Sequence, residues 1–325
     1  MFNKRLIGGC LTVLICLLVL LPGTGLAKMK LKLGHPGALN HHYHEGALMF
    51  KDLVASKSNG EMEIVVFPAN QLGKQRQLVE GAQLGTVEMV LTSDVLLSSF
   101  EKSMGVLNLP YIFNDIDHVS KVLDGEIGSY LSDKLSKKGL VVLGYWENGF
   151  RHVTNSKRPI NTPEDLKGLK IRTPGGFVFV DTFNSYGASA TPMSFGELYS
   201  ALQLKTVDGQ ENPVAHVLTQ KFFEVQKYLS LTSHIHVSEP LVMSKVIFES
   251  LDPKQQQILD EAAKEVAAWM RHEVQSLEDS QLEMLKGKIE VNDADRAVFK
   301  AASTAVYEKH SDKFGELIKR IQNAE

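Results

Sequence analysis

The 325-residue sequence predicts an α/β protein of two lobes, each a mainly parallel sheet flanked by helices, with one long helix spanning both. Three observations carry this expectation. Strand and helix patterns alternate from about residue 29, a second block after about residue 139 repeats the class, and from Asp252 the pattern becomes one unbroken helical run.

The first 27 residues read as an export signal removed near Ala27. Lys4 and Arg5 supply a positive end, residues 11–21 form a short apolar run, and Gly25, Leu26 and Ala27 offer a cleavage site. Pro22 and Gly23 break the run short of the roughly 20 residues a membrane span requires. Both cysteines, Cys10 and Cys16, lie in this segment, so the mature chain contains none and its stability must come from burial.

In the mature chain Met29, Leu31 and Leu33 alternate with lysines, as in a half-buried strand. Ala47, Phe50 and Val54 follow at helical spacing until Gly60 stops the helix. "EIVVF" (63–67) reads as a strand, "KQRQLVEGAQLG" as a helix and "VEMVLTS" as a strand again, which predicts a parallel sheet. In the second block "GLVVLGYWE" and "LKIRTP" read as strands, "VFVDTFNSYG" and "FGELYSALQ" as helices. Asp252 can then cap a helix with Pro253 in its first turn. Leu259, Ala262, Val266, Met270, Val274 and Leu277 recur at helical spacing to about Lys286. At about 1.5 Å per residue that helix reaches roughly 50 Å, longer than one small lobe.

Removing Lys4 and Arg5 leaves 33 basic residues against 38 acidic ones, a net charge of −5 with His neutral, and nothing basic marks a nucleic-acid partner. The chain has no GxSxG, no Walker loop, no GxGxxG after the first strand and no mature cysteine nucleophile. "TPGG" (173–176) lacks the lysine and hydroxyl of a phosphate loop and reads as a turn. Catalysis has no positive signal.

"GHPGALNHHYHEGALMF" (34–50) concentrates His35, His41, His42, His44 and Glu45, which raises the question of a metal. A metal needs converging ligands, and His41 and His44 share a face only if the helix already includes both. No HExxH or Asp-rich partner accompanies them, so neither metal nor cofactor is expected. The histidines stand where the first strand gives way to the first helix, the edge at which open α/β sheets bind ligands. Arg172 ends a short apolar strand, where its guanidinium can face a cleft and hold a carboxylate through two parallel hydrogen bonds.

"GFRHVTNSKRPINTPEDLKGLKIRTP" (149–174) and "GASATPMSFGELYSALQLKTVDGQENP" (187–213) resemble the periplasmic solute-binding subunits of TRAP transporters, the DctP family. The resemblance runs from "KLKLGHP" through "FPANQLGKQRQLVEGAQLGTVEM" and "LNLPYIF" to "QKFFEVQKYLSLTSHIH", nearly all of the mature chain to about residue 240. It implies a two-lobed periplasmic-binding-protein (Venus flytrap) fold. Lobe one takes 28–149 plus 238–277, lobe two takes 150–237 plus 278–325, and the two close by a hinge. It also implies a monomer in the periplasm, without cofactor, that captures a small organic acid and delivers it to a TRAP membrane permease.

By the same resemblance Arg172 pairs with the substrate carboxylate, Arg151 is a second cleft arginine, Asn212 hydrogen-bonds the ligand and Phe195 forms an aromatic wall. His35 with Pro36 would lie at the cleft edge and Ser93 at the end of the third strand. Asp94 is added as a polar group and Trp146 as a second wall. Sialic-acid-binding members carry a glutamate and an arginine at the third-strand end, where this chain has Ser93 and Leu96. That departure favours a smaller acid: a uronate, an aldonate, or a short hydroxy or dicarboxylic acid. Monocarboxylates rank ahead of dicarboxylates because Asp94 would repel a second carboxylate. Two alternatives stand beside this reading. One is an exported enzyme acting on a carboxylate, with His44 or Glu45 as base; the other is an ABC-type solute binder, which lacks "GLKIRTP" and "DGQENP".

Overall fold

The structure, a computed structural model, describes residues 28–324; the expected export signal and its cleavage near Ala27 lie outside the described residues. In chain order the strands are β1 (Met29–Gly34), β2 (Met62–Phe67), β3 (Met89–Leu91), β4 (Leu140–Phe150), β5 (His152–Asn155) and β6 (Lys170–Thr173). They continue with β7 (Ser189–Pro192), β8 (Gly209–Asn212), β9 (Tyr228–Leu231), β10 (His236–Ser244) and β11 (Glu290–Asp293). One sheet has the order β2-β1-β3-β10-β4, the other β11-β9-β5-β8-β6-β7. The expected two-lobed α/β fold is what forms.

The strands read from periodicity pair as that pattern requires. β1 runs parallel to β2 and β3, and β6 runs parallel to β7 and β8. The antiparallel members arise where the chain changes lobe: β10 opposes both β3 and β4, while β5 opposes β8 and β9. The two crossings lie side by side. Arg151 N–H donates to the Ile235 carbonyl at 2.9 Å, and His234 N–H donates to the Arg151 carbonyl at 3.2 Å.

A third connection is the helix Pro253–Leu285, starting where the sequence places it. Asp252 accepts from the Gln255 amide at 2.9 Å, and the Gln255 side chain accepts from the Asp252 amide at 3.1 Å. These contacts satisfy two N–H groups that a helix start leaves orphaned. Leu259, Ala262, Val266 and Met270 are buried on its inner face, against the helix His42–Lys57. The approach is tightest at Gly46, where an added Cβ would lie 2.2 Å from Met270 Cε. Only glycine fits there without repacking.

The C-terminal remainder, expected with lobe two as 278–325, touches both bodies. β11 joins the second sheet, but the helix Thr304–Gln322 buries Val306, Phe314, Leu317 and Ile321 among Leu107, Val119 and Leu131. Its amphipathic face needs an apolar partner, which the first body supplies together with Val178, while His310 Nε2 lies 2.9 Å from Asp181 Oδ2 on the helix Phe177–Ser185 of the second lobe.

Candidate functional site

A cleft of about 460 Å³ opens between the two sheets, and the ends of strands from both supply its polar groups. Arg172 comes from β6 and is buried, yet it lines the cleft. Its Nε and Nη2 donate to the Met193 carbonyl at 3.1 and 2.8 Å, which fixes the plane of the guanidinium. Burial pulls its pKa down to about 10; Glu211 opposes that shift and Arg151 adds to it. Arg172 therefore remains a cation at neutral pH.

Arg151 lies at the crossing between β4 and β5 and is held along the Nε–Nη2 edge of its guanidinium. Its Nε reaches Glu211 Oε2 at 2.5 Å, and its Nη2 donates to Glu211 Oε1 at 3.0 Å, the Glu211 carbonyl at 2.8 Å and Asn212 Oδ1 at 2.9 Å. Burial works against ionisation of Glu211, but Arg151 and His234 hold its carboxyl below the usual range. Asn212 also donates from Nδ2 to Gln210 Oε1, so its amide is positioned at both ends. Phe195 meets the His216 ring edge-on at 5.0 Å and lines the cleft. Ser93 lines it too; its Oγ caps the short helix Asp94–Leu97 by accepting from the Leu96 amide at 3.3 Å.

Three expected residues lie elsewhere. Asp94 faces away from the cleft, toward the strands: Oδ1 accepts from Asn108 Nδ2 at 2.8 Å, and Oδ2 accepts from the Ser238 amide at 2.8 Å and its hydroxyl at 2.7 Å. It is a buried brace. Trp146 is no cleft wall; it is fully buried in the first lobe's core, packs on Phe50 at 6.0 Å and donates from Nε1 to the Ala263 carbonyl at 3.0 Å. A bulge explains the difference. Opposite β10, Ser238 pairs with Glu147 and Val237 with Gly149, so Asn148 is the extra residue, and it lines the cleft while Trp146 stays in the core. His35 is buried behind the lining, its Nε2 3.2 Å from His44 Nδ1, and Pro36 alone of that pair lines the cleft.

Periodicity missed Tyr43, Gln75, Asn148, His216 and Glu239, all of which line the cleft. Glu239 is the most consequential. Its Oε2 accepts from the Tyr43 hydroxyl at 2.9 Å and Asn148 Nδ2 at 3.1 Å, and its Oε1 accepts from Gln75 Nε2 at 3.2 Å. Burial pushes its pKa up to about 8, against the hydrogen bond from Tyr43. A signal was present: a glutamate directly before the apolar run "PLVM" is an unusual occupant of a buried strand.

The remaining histidines pack together. His41 caps the helix His42–Lys57 by accepting from the Tyr43 amide at 3.2 Å, and its ring stacks on His216 at 4.3 Å. His42 Nε2 lies 3.1 Å from the Glu147 carbonyl, and His216 Nε2 lies 3.2 Å from Asn148 Oδ1. Burial holds all three below the usual imidazole range, so they are neutral at pH 7. Among the described residues no group of three or more His, Cys, Asp or Glu has metal-holding geometry.

A second cavity, also about 460 Å³, opens behind the crossing strands and shares no lining residue with the cleft. Its most buried cation, Arg271, is already paired with Asp124. The cleft holding Arg172 is therefore the better candidate for capturing an anion.

Comparison with known proteins identifies relatives of the whole fold. A family model described as bacterial extracellular solute-binding protein, family 7 (DctP), matches residues 33–313. The 2,3-diketo-L-gulonate-binding periplasmic protein YiaO of Escherichia coli (strain K12) is 37% identical over 281 residues, 86% of each chain. A TRAP periplasmic solute-binding protein from a Polaromonas species, solved bound to D-erythronate, superposes with a TM-score of 0.89 at 37% identity, covering 91% of this chain and 99% of its own. Another from Sulfurospirillum deleyianum, solved with succinate, has a TM-score of 0.87 at 34% identity, covering 92% and 100%.

Proposed function

The chain belongs to the DctP family of bacterial extracellular solute-binding proteins, and from that premise we propose that its cleft captures a small organic acid by the carboxylate. As a member it is a periplasmic binder serving a TRAP permease and not an enzyme, which removes both alternatives raised by the sequence. One observation carries the ligand reading: Arg172, a buried guanidinium lining the cleft, donates to a single backbone carbonyl and has room for a bidentate carboxylate.

Around that clamp stand Arg151, Asn212 and Ser93 as polar contacts and Phe195 as an apolar wall. Such a set suits a sugar acid such as a uronate or aldonate, or a hydroxy or dicarboxylic acid; D-erythronate and succinate in the two relatives lie within that range. Ser93 and Leu96 line the cleft where sialic-acid binders have charged groups, which speaks against so bulky a ligand. The lobes, 28–149 with 238–277 and 150–237 with 278–325, close about the crossings at Arg151. The mature chain starts near Lys28 and works as a monomer.

A thermal-shift screen over uronates, aldonates, hydroxy acids and dicarboxylates tests this. A ligand at about a hundred times its dissociation constant stabilises by about 2.7 kcal/mol. The reading expects at least one such acid to raise the melting temperature and to be recovered chemically unchanged. A screen in which only sialic acid or an amino acid stabilises would overturn it.

A further inference from the structure

Charge in the cleft is distributed unevenly. Four cations line it, and three already have carboxylates: Lys74 Nζ lies 2.6 Å from Glu197 Oε1, Arg76 Nη1 3.6 Å from Glu80 Oε1, and Arg151 Nε 2.5 Å from Glu211 Oε2. Arg172 is the exception among the described residues, since both of its hydrogen bonds go to the Met193 carbonyl. Glu239 is the converse. Its three donors, the Tyr43 hydroxyl and the Asn148 and Gln75 amides, are all uncharged. The cleft thus presents one cation without a carboxylate and one carboxyl without a cation.

We infer that Glu239 is the specificity-determining residue of this cleft, admitting polyhydroxylated monocarboxylates and turning dicarboxylates away. The inference rests on the carboxylate clamp proposed at Arg172.

The chemistry follows from what each ligand group can offer. A carboxylate has roughly four acceptor sites, and the protein fills three on Glu239, leaving room for a donor from the ligand. A hydroxyl both donates and accepts, so it satisfies Glu239 whether the carboxyl is ionised or protonated. A second ligand carboxylate only accepts. Against ionised Glu239 it meets a like charge; against the protonated form the two must share one proton. No lining cation is left to compensate it once Arg172 holds the first carboxylate.

The surroundings of Glu239 reinforce this. Asp94, buried behind it, adds negative field that Arg151 opposes. Tyr43 keeps its proton because burial and Glu239 itself raise its pKa well above the ordinary value. His216, reached through Asn148, is neutral, and Glu147 on β4 is paired with His236 at 2.6 Å. Raising the pH toward and past about 8 therefore ionises Glu239 ahead of Tyr43.

Calorimetric titration with D-galactonate, D-glucuronate and succinate tests the inference. Wild type should bind at least one sugar acid about a hundredfold more tightly than succinate. Glu239→Gln should lose about tenfold for that sugar acid and, at about pH 9 where the wild-type carboxyl is ionised, gain about tenfold for succinate, because the amide stays neutral. Should the variant fold poorly, the wild-type protein supplies the second readout: its preference for the sugar acid should widen about tenfold between about pH 7 and pH 9. A wild type that prefers succinate, a selectivity unmoved in Glu239→Gln, or a pH-independent ratio overturns the role of Glu239 while leaving the clamp standing. Failure of wild type to bind any of the three acids overturns the inference together with the clamp.

Discussion

Asp94 gathers three parts of the first lobe onto one carboxylate. It starts the short helix after β3, receives Asn108 on one oxygen and takes both the amide and the hydroxyl of Ser238 in β10 on the other. Asp94→Ala leaves a buried backbone amide and two buried side-chain donors unpaired, and should cost about 2–4 kcal/mol in denaturant unfolding. Affinity lost without loss of stability would return Asp94 to the ligand site. Glu239 shows the complementary behaviour, and the two carboxyls could not be told apart by sequence alone. Arg172 and Asn212 entered the reading through the resemblance carried by "GLKIRTP" and "DGQENP", since a lone arginine ending a strand is more often a surface residue. Glu239 did not, because its meaning depends on β10 lying between β3 and β4, a pairing between segments some 90 to 150 residues apart. The expected ordering of monocarboxylates above dicarboxylates loses Asp94 as its support and rests on the role proposed for Glu239.

At the level of elements, local patterns predicted what local forces build. The helix Pro253–Leu285 was readable to within a residue because Asp252, Pro253 and the apolar period agree. β5, β8 and β9 are short strands whose partners come from distant sequence, so alternation alone could not announce them. The histidines at the start of the helix His42–Lys57 proved to be packing elements, and they carry a pH consequence. His42 is held down to about 3 and His41 and His216 well below their ordinary value, in each case chiefly by burial. Such groups stabilise the fold fully above an unfolded pKa of about 6.5, and the contribution is lost as pH falls toward the folded value. Glu239, raised to about 8, works in the opposite sense: its contribution is complete below about 4.5 and is lost as pH rises toward 8. Three histidines outweigh one carboxyl, so acid dominates. Melting temperature should fall as pH drops below about 6.5, because the three buried imidazoles resist the protons that the unfolded chain takes up. A flat profile would mean the cluster accepts protons without strain.

Over the whole molecule, two crossing strands and one long helix join the lobes, and the cleft sits directly against the crossings through Arg151. Arg172, Asn212 and Phe195 come from the second sheet's side, while Tyr43, Ser93, Asn148 and Glu239 come from the first. A ligand gripped by one set must reach the other to stabilise closure, and it shifts the equilibrium only by the contacts it gains there. The account therefore stands on the arginine that starts the grip. Its most direct test is calorimetric titration of wild type, Arg172→Ala and Arg172→Lys with the acid that the thermal-shift screen identifies. Both variants should melt cooperatively like wild type. Arg172→Ala should lose about 2–5 kcal/mol of binding free energy, and Arg172→Lys should recover little of it because an ammonium cannot form the two parallel hydrogen bonds. Wild-type affinity in both variants would contradict the clamp.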